Sequence, residues 1–177
     1  MILKKAFDSV PHKRLLLKLK TFGIEGKIFD WIKSFLTNRR QRVVVEGEIS
    51  SYKNVLSGIP QGSVLGPLLF ILFVNDLPQL VNSELFMFAD DIKLFREITS
   101  LTDQDILQDD INTLKMWSDE WLLKFNHNKC KSLSISRNRQ IPERTYYLSY
   151  GSEPSEKNNE LIQVDEETDS GLILDAK

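Results

Sequence analysis

The chain has 177 residues, 41% of them hydrophobic and 27% charged, with 8 Gly, 6 Pro and a single Cys. That is one domain's worth of ordinary globular composition, and one cysteine excludes an internal disulfide framework. The net charge of −2 conceals a gradient: residues 1–60 hold 12 Lys and Arg against 5 Asp and Glu, residues 61–140 hold 8 against 11, and residues 141–177 hold 3 against 9. A basic first third is compatible with phosphate contacts and equally with a solvated mixed surface.

Residues 1–7 start apolar and read as the end of a strand. Asp8 or Ser9 can then cap a helix with Pro11 in its first turn, where a missing N–H costs little. Leu15, Leu16, Leu19 and Phe22 recur at helical spacing until Gly23 stops the helix. A second amphipathic helix is predicted over 25–36 through Ile28, Phe29, Ile32 and Phe35, ending near Asn38-Arg39-Arg40. Two strands follow, 41–46 and 52–56, joined by a turn at Gly47; Val43, Val44 and Val45 favour strand.

The stretch 57–63, Ser-Gly-Ile-Pro-Gln-Gly-Ser, is a loop whose glycines permit unusual backbone angles. It opens into 64–75, apolar on every face apart from Gly66 and Pro67, which predicts a buried helix. This is the longest apolar run and falls well short of the roughly twenty residues of a bilayer span. Lys4 and Lys5 interrupt the start before a secretory apolar region forms. Membrane, secreted disulfide-rich and fibrous classes are therefore excluded.

The apolar runs 85–88 and 92–95 flank Asp90-Asp91, a hairpin with two carboxylates at its tip. A long helix is predicted over 102–124 on the stripe Leu107, Ile111, Leu114 and Trp121, then a loop at 125–129 and a strand at 130–136. Residues 137–160 read as an irregular polar excursion around a weak strand at 146–149, and 171–174 as a final strand. Strands and helices mixed without strict alternation predict an α+β layer, an antiparallel sheet with helices on one face.

Two adjacent ionised carboxylates repel, so the tip needs solvent or a hard divalent cation; taken alone, such a turn is more often a solvated tip than a metal site. Backbone N–H groups of the loop 57–63 can face an anion or a base, and Gln61 offers a donor and an acceptor; a tight helix cap without ligand fits as well. In isolation Lys129 is a surface lysine, Phe7 a core residue, and His12 and His127 surface residues.

Four blocks occur in order: Lys5-Ala6-Phe7-Asp8-Ser9-Val10-Pro11-His12, Gly58-Ile59-Pro60-Gln61-Gly62-Ser63-Val64-Leu65-Gly66-Pro67, Phe88-Ala89-Asp90-Asp91, and Phe125-Asn126 with Lys129-Cys130-Lys131. Together they closely resemble the reverse transcriptase domain of non-LTR retrotransposons, especially the jockey-like group. The resemblance covers most of residues 3–136, and residues 169–175 look like the family's next block, degraded. It implies the palm of a right-hand polymerase, partial over 1–136, with an irregular acidic segment over 137–177 and with fingers and thumb missing. The implied activity is RNA-directed DNA synthesis by two-metal phosphoryl transfer. Template RNA, a DNA primer, dNTPs and Mg²⁺ are the implied partners, and the nucleus the compartment if the parent element is active.

By family position Asp90 would be a metal ligand with Asp91 beside it, and Phe7 would lie under the sugar of the incoming nucleotide. Gln61 and Gly62 would contact that nucleotide and the template, and Lys129 would lie near the triphosphate as a proton donor to pyrophosphate. The family places a metal-binding Asp five residues before the aromatic; here that residue is Ile2, which cannot ligate Mg²⁺. Asp8 shares strand parity with position 2 but is better suited to helix capping. The expectation is a polymerase fragment inactive as it stands, against a non-catalytic relic or domesticated palm that binds nucleic acid or protein. A phosphotransferase or nuclease built on Asp90-Asp91 lacks a surrounding His or Glu cluster.

Overall fold

A computed structural model describes residues 1–135, 144–148, 160–169 and 172–175. Among them lie, in chain order, α1 (Ala6–Ser9), α2 (His12–Thr21), α3 (Gly26–Leu36), β1 (Arg40–Gln41), β2 (Val44–Val45), β3 (Glu48–Ile49), β4 (Lys53–Asn54), α4 (Leu65–Val74), β5 (Glu84–Phe88), β6 (Asp91–Phe95), α5 (Leu101–Trp121), β7 (Lys131–Leu133), β8 (Ile162–Val164), β9 (Glu166–Asp169) and β10 (Leu172–Asp175). Short 3₁₀ turns occupy Leu77–Gln79 and His127–Lys129. The fold is mixed α+β. The chain divides into two compact units: Met1–Lys4, Asp76–Glu120 and Lys124–Lys177 form one, Lys5–Asn75 and Trp121–Leu123 the other.

In the unit that begins at Lys5, the expected strand through Phe7 gives way to a helical turn. Lys5 adopts the left-handed conformation at φ 48°, which ends extended backbone and starts α1. Asp8 and Ser9 therefore lie inside α1, not at the N-cap of α2. Pro11 holds the N-cap of α2 instead, because it forces Val10 out of the helical region (ψ 116°) and separates the two helices. The strand parity between Asp8 and position 2 disappears with the strand.

Leu15 and Leu19, one turn apart on α2, are fully buried. Lys18 on the same face is buried too: its Nζ donates to the Phe73 carbonyl at 2.5 Å and sits 4.1 Å from the Trp121 ring centroid. His12, expected at the surface, is buried because its Nε2–H donates to the Gly58 carbonyl at 2.8 Å.

Helix α4 buries Leu69, Phe70, Phe73 and Val74, but Leu68 and Ile71 are 52% and 56% exposed, so it is not buried all round. The predicted pair of strands at 41–46 and 52–56 is a ribbon in two tiers. β1 pairs with β4 (Gln41 opposite Lys53) and β2 with β3 (Val44 opposite Ile49). Two residues separate the tiers on one strand and three on the other, which bulges the ribbon.

In the other unit β5 and β6 form the expected hairpin, with Phe88 opposite Asp91 and Glu84 opposite Phe95. Asp110, buried on α5, fixes its approach by accepting from the Ser83 and Asn82 backbone N–H groups at 2.8 and 2.9 Å. Asp103 caps the first turn of α5, accepting from the Ser100 hydroxyl (2.8 Å), the Thr99 hydroxyl (2.8 Å) and Arg96 (3.0 Å). α5 ends at Trp121, earlier than expected, because Leu122 turns left-handed at φ 56°. β7 is shorter than the predicted strand and pairs parallel with β8, so the sheet elements are not all antiparallel. The nearly thirty residues between them allow the crossover that parallel pairing needs. The weak strand at 146–149 is a single bridge from Tyr147 to Glu160, with Ser149 outside the described residues. β10 pairs antiparallel with β9.

Candidate functional site

Residues 1–4 are the hub of the carboxylate-bearing unit. Ile2 bridges Asp91 on one side, and Leu3 bridges Phe125 on the other, both antiparallel. The flanking bonds, Leu3 N–H to the Asp90 carbonyl (3.0 Å) and Ile92 N–H to the Met1 carbonyl (2.7 Å), make Ile2 and Asp91 a non-hydrogen-bonded pair. In such a pair the two side chains stand close together on one face. On the other side Asn126 N–H donates to the Ile2 carbonyl at 2.7 Å, which sets Asn126 beside Ile2.

Phe88, Asp91, Ile2 and Asn126 therefore form one row across four adjacent strands. Their neighbours Ile92, Leu3 and Phe125 face the other way and are 1%, 2% and 8% exposed. Two of the four sequence blocks meet in this row, and position 2 lies between them.

Asp90 occupies the two-residue turn with Ala89, and Asp91 opens β6; both residues are half-buried. Ala89 has φ 53°, a conformation that alanine rarely adopts, so the turn that presents Asp90 is strained. Lys129 closes the 3₁₀ turn after Asn126 and is exposed, its N–H donating to the Asn126 carbonyl at 2.9 Å. His127 is half-buried rather than at the surface, with Nδ1 buried and without a partner. Burial pushes the neighbouring Cys130 thiol up, which keeps it protonated and inert.

Phe7, Gln61 and Gly62 belong to the other unit. Phe7 stacks on Phe70 of α4 with centroids 4.7 Å apart. The loop after β4 is fastened to α1: Ile59 N–H donates to the Phe7 carbonyl (2.7 Å), Gly58 N–H to the Val10 carbonyl (2.9 Å) and the Ser57 hydroxyl to the Asp8 carbonyl (3.1 Å). Gly58, at φ 89°, comes so close that a Cβ there would lie 2.8 Å from the Asp8 carbonyl oxygen.

The exposed Gln61 amide donates to the Asp8 carboxylate at 2.9 Å. No local pattern hints at this partnership, because 53 residues separate the two. Gly62 has φ 75° and open space around it. Ser63 accepts from the Gly66 N–H at 3.0 Å and so caps α4.

The donor set does not suit a pair of divalent ions. Asp90 and Asp91 supply carboxylates and Ile2 supplies none, and among the described residues no group of three His, Cys, Asp or Glu side chains converges. No helix among them is long and apolar enough to cross a membrane.

The reverse transcriptase (RNA-dependent DNA polymerase) family pattern matches residues 2–159. The chain is 34% identical over 143 residues to the RNA-directed DNA polymerase from mobile element jockey of Drosophila funebris, covering 76% of this chain and 16% of that protein. It is 35% identical over 150 residues to the probable RNA-directed DNA polymerase from transposon X-element of Drosophila melanogaster, covering 81% and 16%. A third relative is the retrovirus-related Pol polyprotein from type-1 retrotransposable element R2 of Popillia japonica, 28% identical over 156 residues, covering 79% and 25%. The chain thus spans between a sixth and a quarter of the length of these relatives.

Proposed function

The chain belongs to the reverse transcriptase family, and we propose that it is the palm segment of an RNA-directed DNA polymerase of a jockey-like mobile element, catalytically silent with isoleucine at position 2. The row Phe88–Asp91–Ile2–Asn126 carries this reading, because it aligns Asp91 of the Asp-Asp turn, the position reserved for a third carboxylate and Asn126 of the Phe-Asn block on one face.

The family generally uses divalent metal ions. In this reading the ion is Mg²⁺, Asp90 and Asp91 are its ligands, and the residues present do not complete its site. Phe7 takes the sugar of the incoming deoxynucleotide, with its ring braced from behind by Phe70. Gln61 and Gly62 take the nucleotide and template, and Asp8 holds the Gln61 amide in a fixed orientation until a base competes for it. Lys129, exposed and cationic, takes the triphosphate. Template RNA, primer and dNTPs are the partners. The same isoleucine suits the alternative, a non-catalytic relic or domesticated palm that binds nucleic acid or protein.

Primer extension on an RNA template tests the proposal. The chain as it stands gives no product, and Mg²⁺- and dNTP-dependent extension by it would overturn the silent assignment. Residues 2–135 exchanged into a jockey-type polymerase give no extension with Ile2 in place and give extension once the chimera carries Ile2→Asp. A chimera carrying Ile2→Asp that is folded, binds template and still extends nothing would sink the palm reading itself.

A further inference from the structure

The ribbon 39–54 carries a cluster that none of the four sequence blocks includes. Arg40 and Arg42 alternate to the same face of one strand, and Tyr52 follows on the facing strand. The two guanidinium carbons lie 5.2 and 4.9 Å from the Tyr52 ring centroid. Tyr52 is 54% exposed. Arg39 and Lys53 flank this group, and among the described residues no carboxylate forms an ion pair with any of the four cations.

Unpaired guanidiniums on an exposed ribbon are a poor stabiliser, since the like charges repel and exposed Arg–Tyr contacts contribute little. They suit a polyanion better: Arg presents a fork of N–H donors to phosphate, and its plane, like the tyrosine ring, offers a flat surface to a base.

We propose that this face of the ribbon is a docking surface for a single strand of RNA, with Arg40 and Arg42 on phosphates and Tyr52 stacked under an unpaired base. Single-strandedness follows from the exposed ring, which a base still paired in a duplex cannot cover. That the strand is RNA rests on the polymerase reading above. The ribbon's acidic residues, Glu46 and Glu48, sit at its far end and confine the strand to the base of the ribbon.

Fluorescence anisotropy of the whole chain with a labelled single-stranded RNA of about ten nucleotides tests the proposal, in EDTA so that no metal site contributes. Binding is expected to weaken steeply with salt. Arg40→Gln with Arg42→Gln lowers the log–log salt slope by roughly 1.4, about 0.7 for each phosphate released. Tyr52→Ala weakens binding roughly tenfold with the slope unchanged. Arg40→Lys with Arg42→Lys keeps the slope and loses affinity, and all variants melt as the parent does because the substituted side chains are exposed.

An unchanged slope in the Gln variant, no binding by the parent at low salt, or equal affinity for the RNA duplex each overturns the proposal. A preference for single-stranded DNA overturns the choice of RNA. Because no extension is measured and Asp90 and Asp91 are idle, failure here is separable from failure of the polymerase reading.

Discussion

Ile2 and Asp91 stand side by side as a non-hydrogen-bonded antiparallel pair, so the residue at position 2 is the immediate lateral neighbour of the Asp91 carboxylate. Ile2→Asp would set two like charges directly opposite one another. Without metal the variant is expected to lose about 1 kcal/mol of stability. Mg²⁺ or Mn²⁺ at millimolar concentration returns the loss as an upward shift in melting temperature that the parent does not show. Thermal melts of both proteins with and without metal decide it, and a variant indifferent to metal would refute the arrangement.

The two loop glycines separate steric clash from backbone strain. Gly58→Ala meets both: its φ of 89° suits only glycine and its Cβ would press on the Asp8 carbonyl. Gly62→Ala meets strain alone, in open space at φ 75°. Urea denaturation is expected to show a loss of about 1 kcal/mol for Gly62→Ala and at least twice that for Gly58→Ala. The reverse order would mean that the loop is not held against α1.

Asp103 sets an acid limit. Its carboxylate is held well below the usual range by the Ser100 hydroxyl first, then by Thr99 and Arg96. A depressed value in the folded state stabilises the fold above the ordinary aspartate pKa of about 4 and loses that contribution as pH falls further. Asp103→Asn should therefore flatten the fall in melting temperature below about pH 4 and lower the plateau at neutral pH. A parallel acid limb in parent and variant would rule the cap out as its cause.

Asp110 is 1% exposed and holds two backbone N–H groups. Asp110→Ala leaves both without an acceptor and is expected to cost roughly 3 kcal/mol. Hydrogen exchange localises the damage: the amides of Asn82 and Ser83 and the start of β5 lose protection before those of α2. Uniform loss across both units would contradict a local role.

Much of this is legible in the sequence. Apolar runs around Asp90-Asp91 specify a hairpin, because period-2 burial leaves few alternatives, and β5 and β6 form it within a residue of the expected bounds. The loop 57–63 and α4 are marked by Gly, Pro and the length of the apolar run. What escapes depends on partners distant in the chain. Lys5 turns left-handed without a glycine to announce it. Lys18 is buried because a helix-end carbonyl and an indole receive its charge, which no local pattern reveals. The apolar content of α4 hides the stripe of Leu68 and Ile71 that remains exposed. Gln61 stands out by its loop, but Asp8 reads locally only as a cap, since the amide it holds lies far along the chain.

The isoleucine at position 2 also bears on how such a chain persists. A β-branched side chain inside a strand, with buried Leu3 next to it, is what the backbone there favours, whereas an aspartate would add repulsion. On the proposed reading, isoleucine at position 2 withholds a metal ligand and spares the strand that repulsion at once. Cellular proteostasis recognises unfolded chain rather than lost turnover, so it has nothing to act on. On that reading, a chain with isoleucine here keeps its fold while lacking turnover, and selection on folding alone would not remove it.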